Sequence, residues 1–162
     1  NFTQAYFESV SGWTTTGLSV INPLLTPNIY LFHRSITLFL GGVGLVLVMV
    51  SALSATFGLR LYNSEGHSDR LLPNLLKSSR LIMSIYAGYI LAGTLLYIFF
   101  GMNWFHAINN SIASVSTGGF GMTNNSIGEY NSIAIELITI ILMILGFTNF
   151  GGKLKILIPA LK

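Results

Sequence analysis

Two short stretches hold residue types able to do chemistry together: Thr14-Thr15-Thr16-Gly17-Leu18-Ser19 and Ser116-Thr117-Gly118-Gly119-Phe120-Gly121. Both are polar and glycine-bearing, in a chain of 162 residues that is 52% hydrophobic and 8% charged. What they offer is oxygen coordination of a dehydrated cation. Backbone carbonyls replace an ion's hydration shell in a selectivity filter, and glycine permits the positive φ that turns successive carbonyls to one side. Threonine before the glycine adds a hydroxyl oxygen, and its β-branched body stiffens the backbone.

The elements that must position these stretches follow from the hydropathy. A mean hydropathy of +0.68 and long charge-free runs place the chain in the membrane class. No charge occurs from Ser35 to Leu59, and roughly 25 residues at about 1.5 Å rise each exceed what a bilayer core requires. Non-helical backbone survives at that depth only where it is buried in protein or lines a watery cavity. The spacing predicts a short re-entrant helix over Phe2–Gly12, the first glycine segment, and an irregular connection marked by Pro23 and Pro27. A spanning helix is then expected from near Tyr30 to about Gly58, with Gly41-Gly42-Val43-Gly44 allowing close packing. After a polar, charged stretch from Arg60 to Arg80, a second span runs from Leu81 to about Phe100. Trp104–Ser114 reads as a second short helix, followed by the second glycine segment, a loop from Gly121 to Asn131 and a last span from Ser132 to about Phe150. The order of elements repeats although identity elsewhere is slight; pairing Thr16-Gly17 with Thr117-Gly118 displaces the two units by 101 residues. The fold class expected is an all-α membrane protein of repeated helix–pore loop–helix units, with re-entrant short helices and extended filter segments.

A helix ending inside the membrane presents its partial negative charge there, which suits a cation. Glu8 lies in the first short helix and is expected to bond neighbouring backbone or hydroxyls and so hold the loop. Arg34 is expected to snorkel to the headgroups rather than pair with an acid. Arg60, Arg70, Lys77, Arg80, Lys153, Lys155 and Lys162 fall on one side of this topology, against Arg34 near the other, which makes theirs the cytoplasmic face. Both glycine segments then open outward.

The chain has no cysteine, so thiolate metal sites and disulfides are excluded. Its formal charge of +3 is not clustered with aromatics, which excludes a nucleic-acid surface. His33, His67 and His106 show no metal-binding spacing, and no phosphate loop or nucleophile elbow is present, so no enzyme and no bound cofactor are expected. An ion-coupled secondary transporter built on broken helices, with Glu8, Glu136 and His106 as candidate proton carriers, and a non-conducting membrane assembly subunit are the alternatives to a pore.

Phe7-Glu8-Ser9-Val10-Ser11-Gly12-Trp13-Thr14-Thr15-Thr16-Gly17, Val115-Ser116-Thr117-Gly118-Gly119-Phe120 and Leu40-Gly41-Gly42-Val43-Gly44 resemble the Trk/Ktr/HKT superfamily of potassium transporters over nearly the whole chain. Members carry four such repeats around one pore. The resemblance implies potassium uptake across the cell membrane through filter strands Thr15, Thr16, Gly17, Leu18 and Ser116, Thr117, Gly118, Gly119, which offer mainly carbonyls to the transported potassium. It matches Gly17 and Gly118 to the family's filter glycine, and a glycine at Gly17 favours potassium over sodium. It also implies a homodimer in membrane lipid with a cytoplasmic nucleotide-binding regulatory subunit. Beginning at Asn1 inside a motif, the chain reads as an excerpt: residues 1–59 a first repeat without its leading helix, 60–80 a cytoplasmic linker, 81–152 a second repeat and 153–162 a cytoplasmic basic tail. The remaining two repeats are expected elsewhere in the parent chain.

Overall fold

The computed structural model describes residues 2–44, 72–123 and 125–147, with residues 72–79 and 81 as backbone only. The far end of the first expected span, the linker up to residue 71 and the basic tail lie outside the described residues. All regular structure among the described residues is helical.

Helix α1, Phe2–Trp13, is 12 residues long, about 18 Å, too short to cross a bilayer. A single 3-10 turn, Pro23–Leu25, follows, with the Asn22 side chain accepting from the Leu24 N–H at 3.0 Å and Pro23 in the first position. Residues 28–44 form α2, whose first turn hangs on the Pro27 carbonyl.

Helix α3, Leu72–Phe99, begins nine residues before the expected start at Leu81. Pro73 explains the difference, since a proline in the first turn sacrifices no helical hydrogen bond and can open a helix that polarity alone marks as linker. The end matches expectation. Gly101 (φ 90) closes α3 with Gly101 N–H to Ile98 O at 3.0 Å and Met102 N–H to Tyr97 O at 3.0 Å, the paired bonds of a left-handed cap. Asn103 at once caps α4, Trp104–Val115, accepting from the Phe105 N–H at 2.9 Å. The loop beyond contains a second 3-10 turn, Ser126–Tyr130, and α5 runs over Ile133–Phe147.

Helix α4 packs against α3 and α5, around a core of Ile82, Tyr86, Tyr97, Ala107, Val115, Ile135 and Leu142. Most of α4 is buried, and with its apolar residues it carries Asn109, Asn110, Ser111 and Ser114 into the interior, so each demands a partner. Ser111 donates to Ile90 O at 2.9 Å, and the fully buried Tyr97 hydroxyl meets Thr139 Oγ1 at 2.7 Å and Ser114 Oγ at 3.3 Å. Outward faces are apolar: Leu91, Leu95 and Phe99 on α3, and Leu137, Ile141, Ile144 and Phe147 on α5, stand exposed. Ile82–Phe99 is long and apolar enough to cross a membrane, and an apolar exterior around a polar helix is what a lipid solvent selects.

Gly93 admits α4 and α5 to α3, since a β-carbon there would fall within 2.6 Å of Ser111 Oγ and Leu142 Cδ1, whereas one at Gly88 would meet nothing within 4 Å. Gly93→Val is expected to cost about 1–3 kcal/mol by overpacking. Gly88→Ala, at an open helical position, should cost nothing and raise stability by up to about 1 kcal/mol. Thermal unfolding of the purified variants in detergent checks the contrast, and equal midpoints would show that this packing is wrong.

Candidate functional site

The two glycine segments leave their short helices by the same route. Thr15 N–H bonds Gly12 O at 3.1 Å and Thr16 N–H bonds Ser11 O at 3.0 Å; Thr117 N–H bonds Ser114 O at 3.3 Å and Gly118 N–H bonds Ala113 O at 3.0 Å. Each pair closes a helix through one left-handed residue, and here that residue is a threonine rather than the usual glycine: Thr15 at φ 53 and Thr117 at φ 56. In both, the hydroxyl donates back to the preceding carbonyl, Thr14 O and Ser116 O, at 2.7 Å. Two residues on, Gly17 (φ 74) and Gly119 (φ 76) are left-handed again.

These equivalences set the register between the repeats. Thr15 corresponds to Thr117 and Gly17 to Gly119, a displacement of 102 residues, not the 101 expected from matching Thr-Gly pairs. Gly118 therefore corresponds to Thr16 and has no positive φ; it is glycine because Leu38 of α2 occupies the space a β-carbon would need. The mispairing arose because two adjacent glycines are indistinguishable by type, while only backbone handedness separates them.

Thr16 and Leu18 are exposed, Thr15 and Gly17 half-buried, Ser116 and Gly118 buried, and Thr117 and Gly119 exposed. The segments face each other closely, for a β-carbon at Gly17 would run into the Gly118 carbonyl oxygen. Small residues of α2 sit behind them: Gly41 abuts the Trp13 carbonyl and Gly42 abuts Ser116. Gly146 of α5 abuts the Val115 carbonyl in the same way, which pairs Gly41 with Gly146 at 105 residues and makes the second outer loop the longer by three. One tether is unshared. Ser11 Oγ donates to Leu18 O at 2.7 Å, and its counterpart Ala113 has no hydroxyl.

The surroundings correct the expectation for Arg34. Its side chain does not snorkel; the residue is 5% exposed, with Nη1 3.5 Å from Glu8 Oε2 and 3.1 Å from Ser19 Oγ, and Nη2 2.9 Å from Gly121 O. Glu8 holds the loop, its Oε1 accepting from Ser19 Oγ at 2.8 Å and from the Val20 N–H at 2.6 Å. The signal was in the sequence: Glu8 and Arg34 are the two charged residues of the first 59, and opposite charges isolated in an apolar stretch favour pairing over separate burial. The other titratable candidates lie elsewhere. Glu136 is exposed in the first turn of α5, His33 is exposed on α2, and His106 Nδ1 lies 2.6 Å from the Tyr130 hydroxyl, which burial pushes above its ordinary pKa.

Two short helices closed by left-handed residues, an apolar exterior and a helix long enough to cross a membrane fit a helical membrane protein of pore-loop repeats. The comparisons agree and make the assignment specific. The family model for the cation transport protein TrkH matches residues 1–159. The chain is 36% identical over 156 residues to the Trk system potassium uptake protein TrkH of Halomonas elongata, covering 92% of this chain and 32% of that protein. It is 34% identical over 160 residues to an uncharacterized cation transporter of Methanocaldococcus jannaschii, covering 97% and 34%. The crystal structure of the potassium transporter TrkH from Vibrio parahaemolyticus superposes with a TM-score of 0.78 at 30% identity, covering 93% of this chain and 30% of that one. The chain belongs to the TrkH family of cation transport proteins, and it spans about a third of the length of these relatives.

Left-handed backbone costs a β-branched residue about 1–2 kcal/mol, which its own hydroxyl bond only partly offsets. Thr117→Gly removes the strain, and Thr117→Val keeps it while deleting the bond. The glycine variant is expected to unfold at the higher temperature, with a gap of about 1–2 kcal/mol. A valine variant as stable as the glycine variant would contradict the left-handed assignment.

Proposed function

We propose that this chain supplies two filter segments of a four-repeat pore for potassium uptake across the cell membrane. The observation that carries the reading is the repeated alternation of left-handed residues, Thr15 and Gly17 in one segment and Thr117 and Gly119 in the other, at the C-termini of two helices of 12 residues. In an extended strand successive carbonyls point to opposite sides; alternating handedness turns them to the same side, where they replace the water around a cation. The ion-binding oxygens are those of Thr15, Thr16, Gly17 and Leu18 and of Ser116, Thr117, Gly118 and Gly119, of which Ser116 pairs with Thr14 in the 102-residue register. Of these the Leu18 carbonyl is shared with the Ser11 hydroxyl and the Ser116 carbonyl with the Thr117 hydroxyl. The partial negative charge at each helix end adds a cation-favouring field where water is scarce. Potassium is the transported ligand, with no cofactor. Potassium uptake by named relatives in Halomonas elongata and Escherichia coli supports the choice of ion.

The division of the chain goes with this reading. Residues 1–59 form the first repeat, 60–80 the cytoplasmic linker, 81–152 the second repeat and 153–162 the basic tail, with the filters facing outside. Helical backbone begins at residue 72, so in this reading the end of that linker is a cytoplasmic extension of α3. Two further repeats complete the ring, the assembly is a homodimer in lipid, and the cytoplasmic basic surface meets a nucleotide-binding regulatory subunit.

Replacing a filter glycine tests the reading. Gly17→Ser and Gly119→Ser each force a side chain into left-handed backbone, at about 1 kcal/mol or more, and so redirect a carbonyl. A change of about 1.4 kcal/mol in relative ion stabilisation is tenfold in selectivity, so the potassium-to-sodium uptake ratio of the full-length gene product should fall by about that factor. Gly118→Ser acts through its clash with Leu38 and should lower the amount of folded protein more than the ratio. Unchanged ratios in both left-handed variants, with flux intact, would remove the filter assignment.

A further inference from the structure

We propose that Arg34 is a specificity-positioning residue which fixes the outer ends of the two filter segments relative to each other, with Glu8 as its buried counter-charge. The proposal rests on the filter reading above. It begins from the register: at 102 residues, Ser19 corresponds to Gly121, and each lies two positions beyond a left-handed glycine. One guanidinium holds both, Nη1 on Ser19 Oγ at 3.1 Å and Nη2 on Gly121 O at 2.9 Å. A guanidinium is planar and its donors stand in a fixed fork, so the separation of the two segments is set by bond geometry rather than by side-chain packing. The plane is itself held, since Cζ lies 4.3 Å from the centroid of Phe120, the residue between Gly119 and Gly121.

Glu8 completes the device. Its Oε1 grips the Ser19 hydroxyl and the Val20 N–H, so the first segment is fixed from both sides, and its Oε2 lies 3.5 Å from Arg34. The pair has no net charge, so Arg34 can stand beside a cation path without repelling the cation. Among its described residues the second repeat has nothing comparable. Asn110 stands at the counterpart of Glu8, 102 residues on, and Thr139 at the counterpart of Arg34, 105 residues on, where its hydroxyl serves Tyr97 instead. A single arginine therefore serves both segments. A role in stability alone accounts poorly for it, because buried ion pairs roughly break even against apolar replacements and the buried Arg34 Nε finds no hydrogen-bond partner among the described residues.

The test is made in the full-length gene product, by rubidium and sodium uptake at matched membrane abundance, with affinity and maximal rate measured separately. The unmodified protein must first carry selective flux; if it does not, the filter reading fails and not this inference. Arg34→Lys keeps the charge beside Glu8 but has one nitrogen for two partners. Glu8→Gln with Arg34→Gln removes both charges together and so strands neither. Both variants are expected to lower the rubidium-to-sodium ratio by roughly fivefold or more and to weaken rubidium affinity, with maximal rate changed less. Ratios and affinities within twofold of the unmodified protein in both variants would overturn the proposal. So would a double variant that fails to accumulate alongside an Arg34→Lys variant of unchanged selectivity, since that combination is the signature of a purely structural pair.

Discussion

A helix that stops inside an apolar layer leaves its last carbonyls without water, and this constraint shapes everything around α1 and α4. Each helix closes two of those carbonyls with the N–H groups of a left-handed cap, and the chain that follows continues as a segment whose own carbonyls need a partner. A cation is a partner that such oxygens can share, and that links the local backbone problem to transport. The same constraint explains the polar interior. Tyr97 joins Ser114 and Thr139 behind α4, Ser111 donates to the Ile90 carbonyl, and Asn109 and Asn110 donate to Phe105 O and Met102 Sδ, while apolar side chains cover the outside.

The two repeats solve one geometric problem with different chemistry. Backbone dihedrals and helix-closing bonds agree at a displacement of 102 residues, yet the groups that brace the segments differ. The first is held by a hydroxyl on Leu18 O and by Glu8 on Ser19 and Val20; the second is held by burial of Phe120 against Leu38 and Ala113 and by the arginine from α2. Bracing thus runs from the first repeat to the second. Leu38 and Gly42 carry the same asymmetry in packing, since both are α2 residues that sit against the second segment.

Much of this was legible in the sequence. The short helices at Phe2–Trp13 and Trp104–Val115 were readable because glycine and threonine interrupt an apolar pattern at a depth where interruption demands a reason. The cap at Gly101-Met102-Asn103 was readable for the same reason. Three features were not. The start of α3 was hidden because a proline in a polar stretch reads equally as a break or as a first turn. The register was hidden because Gly118 and Gly119 differ only in φ. The bridge from Arg34 to Gly121 was hidden because its partner is a backbone oxygen 87 residues away, and a carbonyl has no residue type to read.

The central claim is that backbone oxygens of these two segments hold a dehydrated ion, and seeing the ion is the most direct test. A structure of the full-length gene product in thallium or rubidium, with anomalous scattering used to locate the ion, would decide it. The account predicts density on the axis of the pore, flanked by the carbonyls of Thr16 and Gly17 from one segment and Gly118 and Gly119 from the other. Density confined to the Glu8 carboxylate, or those carbonyls bonded to protein with the ion elsewhere, would contradict it.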